Sequence, residues 1–300
     1  MVTRASLPDT LRRLGLERLE AALSELARPA IRIRTKPCTD DDDIPLAGSK
    51  LGGRPDLPDG TEWPRRGERP LSFIAQFDCR ELQRFEAGAA LPPDGLLSFF
   101  YDAQEQPWGF DPADAGGVRV LHHPASARFS RRTYPRESAA NVLHTYHPPE
   151  LFQAKRLEFY EILTFPYHDL HHAANGWHDY GAPSTVRFAV EPGEVERARA
   201  LYEPGIGDCA HQISGYPTVI QNPMELECQL VTHGVNTGNY YPPEAVTRWG
   251  AGAAAWRLLL QIDSADDMMW GDMGIIYFWI TEDALRSRKF DRAWLILQCG

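Results

Sequence analysis

Two stretches of the chain set apolar residues around a Gln-x-Asp in nearly the same words: residues 73–78 read FIAQFD and residues 258–263 read LLLQID. Strand side chains point alternately to opposite faces, so Phe73, Ala75 and Phe77 share one face while Ile74, Gln76 and Asp78 share the other. Leu258, Leu260 and Ile262 against Leu259, Gln261 and Asp263 repeat the arrangement. Each stretch is predicted to be a strand with a polar pair at its end. A Gln there bonds backbone groups of a neighbouring segment, and an Asp caps the next turn or helix. Asp78 precedes CRELQRF, a predicted short helix, and Asp263 precedes SADDM.

The remaining pattern is rich in strands and turns. Leu11, Leu14, Leu19, Leu23 and Leu26 recur at near-helical spacing behind Ser6-Leu7-Pro8-Asp9, a candidate capping box, and predict one amphipathic helix over residues 7–27. Ile31 and Ile33 then alternate with arginines as in a half-buried strand that Pro37 ends. Matched blocks recur in one order along the two halves. Gly53-x-Pro55 matches Gly215-x-Pro217, the Gln-x-Asp strands come next, and Gly95-Leu96-Leu97-x-Phe99-Phe100 matches Gly274-Ile275-Ile276-x-Phe278-Trp279. The flanks agree as well, IRIRTKP with EILTFP and VRVL with AWLIL.

Three blocks in one order predict an internal duplication, and a repeat this long is two lobes rather than a solenoid. The expected fold is α+β: an N-terminal helix over 1–29, a first β-rich lobe over 30–125, a connector over 126–156 and a second β-rich lobe over 157–300. The lobes are expected to be mainly antiparallel, with short helices, and to make one compact unit.

Charge and composition narrow the function. A formal net charge of -10 repels a phosphate backbone, and no run of Lys and Arg with interleaved aromatics offsets it, so nucleic acid is not an expected partner. No stretch reaches the roughly 18 apolar residues of a membrane span, and the N-terminus has no apolar signal segment. Five scattered cysteines without a C-x-x-C pair point to a reducing cytoplasm. Asp40 to Asp43 is expected to be a solvated loop, because an EF-hand needs spaced ligands and a central Gly.

Candidate chemistry gathers in four places. PYHDLHHAANGWHDY holds His168, His171 and His172, which on a helix stand close enough to hold a divalent transition metal, the one cofactor these residues suggest. The plainer reading is a His-rich surface loop. Cys209 stands two residues from His211, but no nucleophile elbow surrounds them, and small core filling is the plainer reading of the thiol. Asp263, Asp266, Asp267 and Asp272, with Glu225 and Glu227, offer paired acids for hydrolysis or else turn and cap residues. Trp63, Trp108 and Trp270 sit beside Pro or Gly in loops, where a Trp anchors a ligand or covers the core edge.

SKLGGRPDLPDGTEWP, PLSFIAQFD, LPPDGLLSFFYD, HQISGYPTVIQNPMELEC, WRLLLQIDSADDMMWGDMGIIYFWI and FDRAWLILQC together resemble the YwqG-like family of bacterial proteins, a domain of unknown function. The resemblance covers about residues 30–299. It implies a cytoplasmic protein with duplicated antiparallel sheets, no established reaction, and, through its kinship to proteins near toxin and immunity genes, a protein partner such as a toxin. The expectation is a non-catalytic binding protein whose site lies between the lobes, drawing on Trp63, His211, Gln212, Trp270 and Asp272. The alternative is a hydrolase using the acidic cluster or a His-bound metal. The oligomeric state stays open.

Overall fold

The alternating stretches form strands in the computed structural model, which describes residues 2–135, 152–175, 186, 188–201, 209–238 and 240–300. In chain order these are β1 (Arg28–Pro37), β2 (Lys50–Leu51), β3 (Asp56–Pro58), β4 (Arg65–Arg66), β5 (Arg69–Pro70), β6 (Ser72–Asp78) and β7 (Leu96–Tyr101). Next come β8 (Val118–His123), β9 (Phe129–Arg131), β10 (Lys155–Thr164), β11 (Gln212–Ile213), β12 (Trp256–Asp263), β13 (Ile275–Thr281) and β14 (Trp294–Gln298). Two short ribbons pair β3 with β9 and β4 with β5. The other ten strands make one sheet, ordered β14-β13-β12-β11-β1-β10-β2-β6-β7-β8. Every neighbouring pair in it is antiparallel.

The centre of this sheet is β1 against β10, paired from Arg28 and Thr164 to Pro37 and Lys155. On its other side β1 meets β11, and β10 meets β2. The strand expected to open the first lobe therefore lies among the strands of the second, and the reverse holds for β10. The pairing also moves the flanking match. Ile31 and Arg32 face Ile213 and Gln212 as Lys155 and Arg156 face Leu51 and Lys50, so the counterpart of Ile31 is Lys155 rather than Tyr160. Matching the two strands on their prolines misplaces them because each proline marks where a strand stops, not how it is registered.

The sheet curls until it is nearly closed. Phe99 of β7 and Phe278 of β13 meet edge to face at 5.1 Å, and one apolar core runs through Ile74, Phe77, Leu97, Leu260, Ile262 and Ile276 from both ends of the sheet. The seam is tied by Leu297 N donating to Trp108 O at 2.9 Å and Trp294 Nε1 to Gly109 O at 2.8 Å. Each fully buried Leu, Ile or Phe contributes about 1.5–3 kcal/mol, and here the two halves share that burial. The groove expected between lobes is filled by these side chains.

Helices cover the outside. The stretch 7–27 is not one helix: Leu7–Leu14 ends at Gly15, whose φ of 65° breaks the ladder, a 3-10 turn comes next at Glu17–Leu19, and Glu20–Leu26 resumes. Ser6 does not cap the first segment through its side chain, and its Oγ bonds Thr3 instead. Leu11, Leu16, Leu19 and Leu23 are nevertheless buried, against Leu163, Phe165 and Val195. Glu225–Val231 packs on the outer face of β12–β14 through Met224 and Cys228. Among the described residues no helix is long and apolar enough to cross a membrane.

Candidate functional site

The polar pairs of β6 and β12 make matching bonds in the two halves of the sheet. Gln76 is fully buried; its Nε2 donates to Gly48 O and to Asp56 Oδ2, both at 2.8 Å, and its Oε1 accepts from Asp56 N at 2.9 Å. Gln261 does the same with different neighbours: Nε2 donates to Ala210 O and Thr218 Oγ1, and Oε1 accepts from Thr218 N at 3.0 Å. The carboxamide thus pins the loop beyond the adjacent two-residue strand, leaving no buried donor of its own unmet. Asp78 N donates to Ser49 Oγ at 2.9 Å, and Asp263 N to His211 Nδ1 at 3.0 Å. The carboxylates diverge. Asp78 caps Cys79–Leu82 by accepting from Arg80 N, whereas Asp263 accepts from Ala210 N, since residues 264–274 form a non-helical loop.

In the run Asp40–Asp43, Asp40, Asp42 and Asp43 are exposed as expected, but Asp41 is not. Asp40 caps a 3-10 turn over Asp41–Asp43, which turns Asp41 inward onto Lys50 Nζ at 3.0 Å. Lys50 is fully buried and also lies 3.6 Å from Asp56 Oδ2, while Arg131 Nε bonds Asp56 Oδ1 at 2.9 Å and Arg54 Nε bonds Asp41 at 3.2 Å. Burial pushes the Asp41 carboxyl up, but the Arg54 amide and Lys50 outweigh it and hold it below the usual range. Burial drives Lys50 down against the pull of Asp56 and Asp41. Removing one member strands the others, so the cluster holds the Gly48–Asp56 loop in place. Sequence reasoning missed it because four adjacent aspartates carry no sign of the Lys and Arg residues that reach them from elsewhere in the chain.

Of the expected binding residues, His211, Gln212 and Trp270 are buried. His211 is pushed down to about 4 by burial and by Arg32, so its ring is neutral; Nδ1 accepts from Asp263 N, which leaves the proton on Nε2. Among the described residues Nε2 has no hydrogen-bond partner. Gln212 Nε2 donates to Ser214 O and Tyr216 O. Trp270 is a core residue, edge to face with Tyr101 and Phe152, and therefore presents no surface to a partner. Trp63 is half-buried, with Nε1 bonded to Leu71 O at 2.8 Å and its ring on Phe100 and Tyr134. Asp272 is exposed. The structure does not bring these five residues together.

His168 and His171 lie half-buried on the helix Tyr167–Asn175; the side chain of His172 lies outside the described residues, as do His144, His147 and His178. Among the described residues no group of three His, Cys, Asp or Glu side chains is placed to hold a metal ion. The acids do not converge either. Burial pushes Glu227 up to about 7 against its Thr237 hydroxyl contact. Burial and Asp169 push Glu225 up while Arg28 opposes them. Asp266 pairs with Lys155 at 3.1 Å, and Asp267 accepts from Gln153 N.

What the structure does expose is a rim around the end of β14. Trp108 is 38% exposed, Met269 40% and Met273 63%. Ser264 Oγ donates to Gly274 O and accepts from Trp270 N, and Gly274 N donates to Trp270 O, so the buried Trp270 fixes the loop that carries the two methionines. Gln106 clamps the same loop from across the seam, its Nε2 donating to Met269 O at 3.0 Å and its Oε1 accepting from Gly271 N at 2.8 Å. The residues MMWGDMG pointed to this loop, but alternation cannot say which of its apolar side chains turns inward.

Fold and rim define a mixed helix and sheet protein, built on one nearly closed, mainly antiparallel ten-stranded sheet with a hydrogen-bonded loop at its seam that exposes two methionines. Residues 49–299 match the family described as Domain of unknown function (DUF1963), and the chain belongs to that family. No curated protein matches the chain.

Proposed function

We propose that this is a cytoplasmic, YwqG-like, non-catalytic binding protein, built by internal duplication, that holds a protein partner at the rim formed by Trp108, Met269 and Met273. The duplication reading is supported by the matched bonds of Gln76 and Gln261 and by a shared packing detail. A Cβ on Gly53 would meet Ala154 Cβ at 2.9 Å, and one on Gly215 would meet Ala30 Cβ at 2.7 Å. The register shift between Phe73 and Ala75 recurs between Leu258 and Leu260. On this reading the two lobes each lend their first strand to the other.

The observation that carries the binding reading is the exposure of three large apolar side chains on loops whose backbones are locked. Isolated apolar residues on a surface need no explanation, but a group of them on a fixed frame marks a contact. A toxin is the partner class in keeping with the family resemblance. The test is the serine double variant, Met269→Ser with Met273→Ser, whose positions already face solvent. We expect it to fold with an unchanged urea midpoint and to lose a stoichiometric complex that the wild type forms with a purified partner. An equally tight complex in the double variant would remove the rim from the contact.

A further inference from the structure

Resting on that reading, we infer that the partner reaches the rim with a basic amphipathic segment, its apolar side chains seated on Trp108, Met269 and Met273 and its Lys or Arg side chains over the acidic loops around them. Four stretches of chain build this part of the surface. Residues 102–111 carry Trp108 and Gln106; residues 264–274 carry the methionines; residues 295–300 run between them; residues 217–224 lie alongside, with Ile220 N and Gln221 N both donating to Gln298 Oε1 at 3.1 Å. Ile220, itself 38% exposed, extends the apolar area.

None of these four stretches contains a Lys or Arg, and together they contain Asp102, Glu105, Asp111, Asp266, Asp267 and Asp272. Asp102 is buried, and it, Glu105 and Asp266 are paired, whereas Asp111, Asp267 and Asp272 meet no cation among the described residues and supply the open charge of the margin. Arg66 and Arg69 meet Asp102, Arg69 meets Glu105 at 2.7 Å, and the largely buried Lys155 meets Asp266. An apolar centre with an acidic margin selects a partner with the opposite margin, and the same charge pattern disfavours an acidic one. Unbranched methionine side chains adapt to the shape of an apolar stripe, which suits a segment recognised by pattern more than by individual contacts.

The experiment uses the full chain and three synthetic peptides of about 18 residues, long enough for five helical turns. All carry Leu at helical spacing, with Lys, Gln or Glu at the remaining positions. Calorimetric titration is expected to give saturable one-to-one binding of the Leu-Lys peptide, weaker binding of the Leu-Gln peptide and none of the Leu-Glu peptide. Raising ionic strength from about 0.05 M to about 0.3 M should weaken the first. The Met269→Ser, Met273→Ser double variant should weaken it by about tenfold or more. Equal affinity for the Leu-Gln and Leu-Lys peptides, both lost in the double variant, would overturn the basic partner and leave the rim standing. Leu-Lys binding undiminished in the double variant would overturn both, because attraction to the net charge alone would then explain it. Failure of all three peptides to bind would overturn the amphipathic segment.

Discussion

His211 shows how a residue that looks chemical becomes structural. With Nδ1 committed to the Asp263 amide and burial almost complete, its ring titrates at about 4 instead of the ordinary 6.5. The folded state therefore binds this proton less readily than the unfolded chain. The stability tied to the neutral ring is fully present above about pH 6.5 and is lost as pH falls toward 4, by about 3 kcal/mol in all. His211→Asn keeps an acceptor for the Asp263 amide and removes the titration. Urea midpoints at pH 7 and pH 4.5 should therefore fall less in the variant than in the wild type, and equal falls would sink the assignment. Spacing alone left His211 open as a ligand contact because nothing local to HQISGYP tells that a second strand will bury it. The same blindness hid the Lys50 cluster, whose members meet only after the chain has folded. What the sequence did carry was the polar pairs: Gln76 and Gln261 were legible as backbone bonding groups because a Gln on a buried strand face has few other uses.

At the level of elements, strands were legible and their partners were not. A short apolar run bounded by turn residues marks a strand buried on both faces, which is why β6, β7, β12 and β13 stand where FIAQFD, LLSFFY, LLLQID and IIYFWI stand. Pairing across the chain has no such mark, and β1 against β11 could not be read from residues 28–37. The N-terminal helix failed at one residue, Gly15, since leucine spacing continues through a break that backbone conformation imposes. The Gly-x-Pro turns, by contrast, have a plain steric reason. Gly215 has a φ of +78°, and a Cβ there would lie 2.5 Å from Thr164 Oγ1. Gly215→Ala is expected to cost about 2–4 kcal/mol through strain and collision together. Gly60 has a φ of +81° with nothing within 4 Å of a Cβ, so Gly60→Ala should cost about 1 kcal/mol, from conformation alone. Equal losses in urea denaturation would mean that the contact with β1 and β10 contributes nothing.

Over the whole molecule, the expectation of two lobes with a site between them gave way to a single sheet with a shared core. Neither half encloses itself: without residues 152–300, β1 lacks both its neighbours and Phe99 lacks Phe278. Residues 1–151 and 152–300 expressed separately should each be unfolded by circular dichroism and thermal melting, and should recover a cooperative transition when refolded together. A half that melts cooperatively alone would contradict the exchange of strands. The position of β1 also bears on how the chain is made. A ribosome adds about 5–20 residues per second, so the segment at residues 28–37 leaves the exit tunnel on the order of ten seconds or more before Gln212 and Ile213 exist to pair with it. Until residues 155–164 follow, that ribbon of alternating isoleucine and arginine has no permanent neighbour on either side, and its β11 side stays open longer still. Its arginines keep such an edge soluble while it waits, and the rate of translation through the middle of the chain sets how long the nascent protein stays open.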